Sequence, residues 1–189
     1  MAGLQRAMGL LQRLPGFIRA PIMRAAMTAM QNPKEAINRA TLLFLPVNLW
    51  LTYLPHFCVR LPVMLSTGRY NNMAPRSDAQ KDLQKRHPRG RLLARAKAAH
   101  MNSLEMLPIF FAAVLACVGR STHSSMQARL KVVKLAMAYT VGRAIYIVLY
   151  LCGVNEAVAA CRTVAWAGNF WACHLLFMHA VKAPLLVKH

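Results

Sequence analysis

Three residues put charge where the chain is otherwise apolar: Glu105, Arg143 and Arg162 each lie inside a long hydrophobic stretch. An ionisable side chain at membrane depth is costly and marks either a functional site or a tightly paired one. Their neighbours at helical spacing are polar as well. Asn102 and Glu105 are three apart and share a face with Arg95 and Ala98. Tyr139, Arg143, Tyr146 and Tyr150 step by four, three and four, and Arg162, Trp166, Asn169 and Cys173 repeat that stepping. Lipid penalises such stripes, so the three are expected to converge. Together they suit an anionic, peptide-like ligand. Arg143 and Arg162 would hold a carboxylate or thiolate, with Glu105 and Asn102 positioning the rest. The plainer alternative is an internal Glu–Arg network that locks the helices together.

Other reactive types form no such pattern. Cys58, Cys117, Cys152, Cys161 and Cys173 sit in or at the ends of apolar segments with no Cys-x-x-Cys spacing. They read as small buried hydrophobes, not as a disulfide framework or a zinc site. No metal site is expected. His100, His174 and His179 do not pair at matching depth on facing helices as haem ligation would require, and the 12 methionines read as packing.

The elements that must position these residues are transmembrane helices. Hydrophobic residues make up 57% of the 189 and charged ones 15%, against about 25% charged in a soluble domain. The predicted fold is an all-α integral membrane bundle of four helices, with spans at about 41–66, 92–118, 130–152 and 157–181. Each is long enough for a hydrocarbon core of about 30 Å. Pro46, Pro55 and Pro62 predict kinks in the first span. Residues 67–91 read as a polar loop with turn signals, while 153–156 is a turn short enough to make the last two helices antiparallel neighbours. The domain is thus 41–189, behind an arm at 1–40.

That arm is basic and amphipathic. Leu4, Leu11 and Ile18 recur at a heptad interval, Arg6 and Arg13 lie on another face, and Glu35 is its only acid. An arginine-rich, acid-poor start of this kind is similar to a mitochondrial targeting sequence. The whole chain carries 24 Lys+Arg against 5 Asp+Glu, a formal +19. Without a nucleic-acid motif, and with the cations flanking apolar spans, that charge points to anionic lipid headgroups, cardiolipin among them, or to an acidic neighbouring subunit. Both membrane sides are rich in Lys and Arg, so the charge rule does not choose an orientation.

The stripes resemble the MAPEG family, the membrane-associated proteins of eicosanoid and glutathione metabolism. The match is strongest over Arg95-Ala96-Lys97-Ala98-Ala99-His100-Met101-Asn102-Ser103-Leu104-Glu105-Met106-Leu107-Pro108. It looks like the family pattern Arg-Ala-x-Arg-Ala-His-x-Asn-x-x-Glu-x-x-Pro. Arg143, Tyr146 and Tyr150, and then Arg162 through Gly168, extend it. The resemblance implies a four-helix protomer, usually a homotrimer, with glutathione bound between protomers near one membrane face. Carried over, it implies Asn102, Glu105, Tyr150 and Arg162 as site residues, with Arg162 stabilising the thiolate. Arg95, His100, Arg143 and Tyr146 complete the candidate set, for glutathione or for a structural polar network.

There are departures. The motif's second arginine is Ala98, and a further basic position of some members is Met101. The Tyr150-to-Arg162 connection is longer than the family's by about one helical turn, which bears on the depth of Arg162. The basic arm is not a usual family feature. These features favour an accessory, non-catalytic subunit of a mitochondrial inner-membrane complex, the respiratory chain or the ATP synthase. The surviving residues favour the alternative, a membrane glutathione transferase or peroxidase acting on lipophilic electrophiles in the endoplasmic reticulum or another intracellular membrane. No gating or repeat signature speaks for a pore or carrier.

Overall fold

The computed structural model describes residues 31–66, 88–120, 125–153 and 155–182, together with positions 15–17, 20–21, 24 and 27. The heptad Leu4, Leu11 and Ile18, the arginines Arg6 and Arg13 and most of the loop at 67–91 lie outside them. The described chain is a bundle of four long helices. Helix α1 is Pro33–Pro55, and it runs through a π-helical stretch, His56–Arg60, into Leu61–Ser66. Helix α2 is Gly90–Gly119, α3 is Met126–Cys152 and α4 is Glu156–Lys182.

α1 starts earlier than the apolar pattern indicates, within the segment assigned to the arm. The reason is local. The Asn32 side chain accepts from the Glu35 amide at 3.3 Å, Pro33 occupies the first turn, and Glu35 pairs with Arg39 one turn on. The prolines do not break the helix. The π-helical stretch lies between Pro55 and Pro62, where an α-helical ladder would lack donors, and the Leu61 amide donates back to the His56 carbonyl.

The inner seam of α1 is polar and its outer face apolar, the reverse of a water-soluble helix. Thr41, Asn48 and Thr52 are buried, while Leu43, Val47, Leu49, Trp50 and Leu54 are exposed. Asn48 donates across the interface to the Thr140 hydroxyl of α3 at 2.7 Å, a bond worth about 0.6–2 kcal/mol in a bilayer. Small residues let the helices approach, among them the buried Ala96, Ala99, Ala113, Ala136 and Ala172. Phe110 of α2 and Tyr139 of α3 stack at the centre, centroids 4.0 Å apart and planes 4° apart.

Three helical segments, Pro33–Val63, Gly90–Gly119 and Met126–Cys152, are long and apolar enough to cross a membrane. The 27 residues of α4 span about 40 Å, long enough to cross, but Arg162, Asn169, His174 and His179 make it more polar. Its partner is α3, and the connection is capped tightly. The Asn155 side chain accepts from the Val158 amide at 2.9 Å, and a Cβ on Gly153 would meet the Leu149 carbonyl at 2.6 Å.

Deeper in the α3–α4 interface a Cβ on Gly142 would collide with the Asn169 side-chain oxygen. Gly142→Ala is therefore expected to cost about 1–3 kcal/mol, read as a lower thermal midpoint in detergent. Adding Asn169→Ala should recover most of that loss. An equal loss in the single and double variants would mean that another neighbour sets the spacing.

Candidate functional site

The site is built outward from Arg143. This residue is 1% exposed, in the middle of α3, and its Nη2 donates to the Asn102 side-chain oxygen of α2 at 3.2 Å. Its guanidinium carbon lies 4.5 Å from the centre of the Tyr146 ring one turn along. Nε and Nη1 are buried without a hydrogen-bond partner. An arginine in so apolar a place is held by the amide oxygen, the ring face and the field of nearby groups. Its two open donors leave capacity for an acceptor.

Tyr146 packs edge-on against Tyr150, centroids 5.3 Å apart. From α4, Arg162 places its guanidinium carbon 4.2 Å from the centre of the Tyr150 ring. Asn102, Tyr146, Tyr150, Arg162, Thr163 and Trp166 line one open cleft of about 210 Å³. The cleft thus draws on α2, α3 and α4, as the three stripes predict.

The expected change in depth does not take Arg162 away from Tyr150. The antiparallel register is set below the cleft, by Gly142 against Asn169, and eight residues along α3 from there match seven back along α4. Most residues between Tyr150 and Arg162 are helical, α3 continuing to Cys152 and α4 beginning at Glu156.

Other candidates stand elsewhere. Arg95 donates from Nε to the Leu151 carbonyl at 3.2 Å, tying α2 to the last turn of α3. His100 turns to α1, where its Nδ1 bonds the Thr52 carbonyl at 2.8 Å and its ring packs beside Tyr53 and His56. Glu105 is exposed and close enough to act electrostatically on Arg143 and Tyr146, but it forms no ion pair with either arginine. The internal Glu–Arg network is therefore not what holds the helices; Asn102 takes that place.

Each stripe also divides along its length. Tyr139 is core, its hydroxyl directed at the Met106 carbonyl 3.5 Å away. Asn169 and Cys173 are buried below the cleft, while Arg162 and Trp166 line it. Thr163, which lies within the Arg162-to-Gly168 stretch and three before Trp166, joins the lining as well.

One further expectation is corrected. The cysteines are not uniformly buried: Cys58, Cys152 and Cys161 are exposed, on faces where an apolar exterior is itself suitable for a thiol, and only Cys117 and Cys173 are interior. The cleft-facing side of α2 offers no cation at the two altered positions, with Ala98 half-buried and Met101 exposed. No group of three metal-ligating side chains occurs among the described residues.

What the arrangement can do follows from charge and access. Arg162 stands with two tyrosines and an amide at the opening, and Arg143 is buried beside that amide, so an anion entering there meets oriented donors and a positive field. Neither a curated protein nor a solved structure was found to match the chain. A family model does match, over residues 40–182, which takes in α1 from Ala40 onward and the whole of α2, α3 and α4. With the four-helix membrane bundle and the polar stripes of its last three helices, this chain belongs to the MAPEG family, which includes glutathione transferases.

Proposed function

We propose that the cleft binds glutathione and that the chain is a membrane glutathione transferase or peroxidase acting on lipophilic electrophiles. The observation that carries this reading is Arg162 standing over Tyr150 in the same cleft as Asn102 and Tyr146. Glutathione brings a thiol, two carboxylates and an ammonium group. Arg143, buried beside Asn102 and Tyr146, favours the carboxylates through its field, and the exposed Glu105 is available to the ammonium. Arg162 is the group at the mouth that would stabilise a thiolate, while the thiol proton leaves to water through the opening. In conjugation the sulfur electron pair forms a bond to the electrophilic carbon, and the leaving group departs with its own pair. Val164, Trp166 and Phe170 give α4 an apolar exterior next to the cleft, so a lipophilic substrate can arrive from the bilayer. Residence in the endoplasmic reticulum or another intracellular membrane belongs with this reading, as does the homotrimer usual for the family.

A second reading keeps the fold and drops the chemistry: an accessory subunit of a mitochondrial inner-membrane complex. It is favoured by Ala98 and Met101, two positions of α2 that carry no cation, and by Arg95 and His100, both engaged in bonds between helices. Native electrophoresis of mildly solubilised membranes separates the two. Co-migration with a respiratory or ATP synthase assembly supports the subunit; migration as a small homo-oligomer supports the enzyme.

Two variants test the site directly. Arg162→Gln should lower kcat with a hydrophobic aryl halide by about a hundredfold to a thousandfold, with the glutathione Kd little changed. A proportionate loss of binding would make Arg162 an anchor and not a thiolate stabiliser. Ala98→Arg should tighten glutathione binding by about tenfold to a hundredfold in calorimetry, the value of one charge-assisted contact. Absence of binding in both the native chain and this variant would exclude the glutathione site.

A further inference from the structure

We propose that the end of the bundle away from the cleft holds the phosphate of an anionic phospholipid on Lys131 and Lys134 of α3 and Lys182 of α4. The start of α3 and the end of α4 lie side by side there. Arg129, Val132 and His179 line one small pocket together, and Lys131 is close enough to His179 to act on it electrostatically. Lys134 follows Lys131 by three residues, about 4.5 Å further along the same face, and Lys182 follows His179 by three. The three lysines are exposed, and none has a hydrogen-bond or ion-pair partner among the described residues.

The charge at this end is not balanced by a carboxylate among the described residues. The one described carboxylate near it, Glu35, is already engaged by Arg39. Arg129 is 6% exposed and donates to the Lys34 carbonyl, so it joins α3 to α1. The lysines are left facing outward as a set of like charges, and an anion set among them relieves that repulsion.

The position of the set selects a lipid as the source of that anion. Immediately deeper on the outer face of α3 come Met137, Val141, Ile145 and Val148, all exposed and all apolar. This order, cations first and then an aliphatic strip, is the profile of one phospholipid standing beside a helix: phosphate at the lysines, acyl chain along the strip. Each lysine near an anionic headgroup contributes favourably, and the three act on one small area.

The test uses the full chain in lipid nanodiscs and reads retained lipid by native mass spectrometry. From a mixture of phosphatidylcholine with a minor fraction of phosphatidylglycerol or cardiolipin, the native chain should retain the anionic lipid preferentially. Replacing all three lysines, K131Q, K134Q and K182Q together, should reduce that retention about tenfold or more. R91Q with K97Q, at the opposite end, should leave it unchanged. Equal retention by the native chain and the triple variant would overturn the proposal. So would equal losses in the two variants, which would reduce the effect to overall charge. Inorganic phosphate added to pure phosphatidylcholine discs forms the third arm. Thermal stabilisation by phosphate equal to that given by the anionic lipid would assign the lysines to a soluble anion and overturn the lipid.

Discussion

A cation buried in an apolar bundle is the constraint on which the rest of this structure turns. Arg143 cannot reach water, and a bilayer outside the helices gives it no alternative partner. Three features follow. Asn102 has to stand opposite on α2, the Tyr146 ring has to lie beneath the guanidinium, and α4 has to present groups that tolerate the field. The same field favours anions in the adjoining cleft. Stability and chemistry are therefore not independent at this site: what holds α2 to α3 also sets the potential met by a ligand.

The α3–α4 pair supplies the second half of the arrangement. Its register is fixed where Gly142 meets Asn169, and the contact at Tyr150 and Arg162 follows from it. A connection of altered length then changes only how far the two helices rise above the cleft, not which residues face it. Packing below a site can in this way protect its geometry from changes in the loop above.

Much of the architecture is legible in the residues themselves. Four apolar stretches of bilayer length and three polar stripes at helical spacing suffice for the fold class and for the convergence of α2, α3 and α4. What a stripe does not reveal is which neighbour each member meets. His100 and Asn102 are two residues apart, hence about 200° around the helix, so one faces α1 when the other faces α3. Arg95 reaches the end of α3, and although the apolar span marks that end at Cys152, it does not show that Arg95 meets the Leu151 carbonyl there. The early start of α1 rests on a cap at Asn32, a signal that a hydropathy pattern does not carry. The Asn48–Thr140 bond is illegible in the sequence for a related reason. Single amides and hydroxyls inside an apolar run look incidental until two of them are opposite.

The π-helical stretch of α1 has a geometric effect beyond carrying the helix past its prolines. Each residue turns an α-helix by about 100°, and a wider turn takes in one residue more than the α-helical ladder would. His56–Arg60 therefore resets the angular phase of the helix before its last six residues. The polar seam of Thr41, Asn48 and Thr52 and the face presented by Leu61–Ser66 are thereby decoupled, so either half of α1 can be repositioned around its axis by one residue gained or lost in between, with the contacts of the other half left in place.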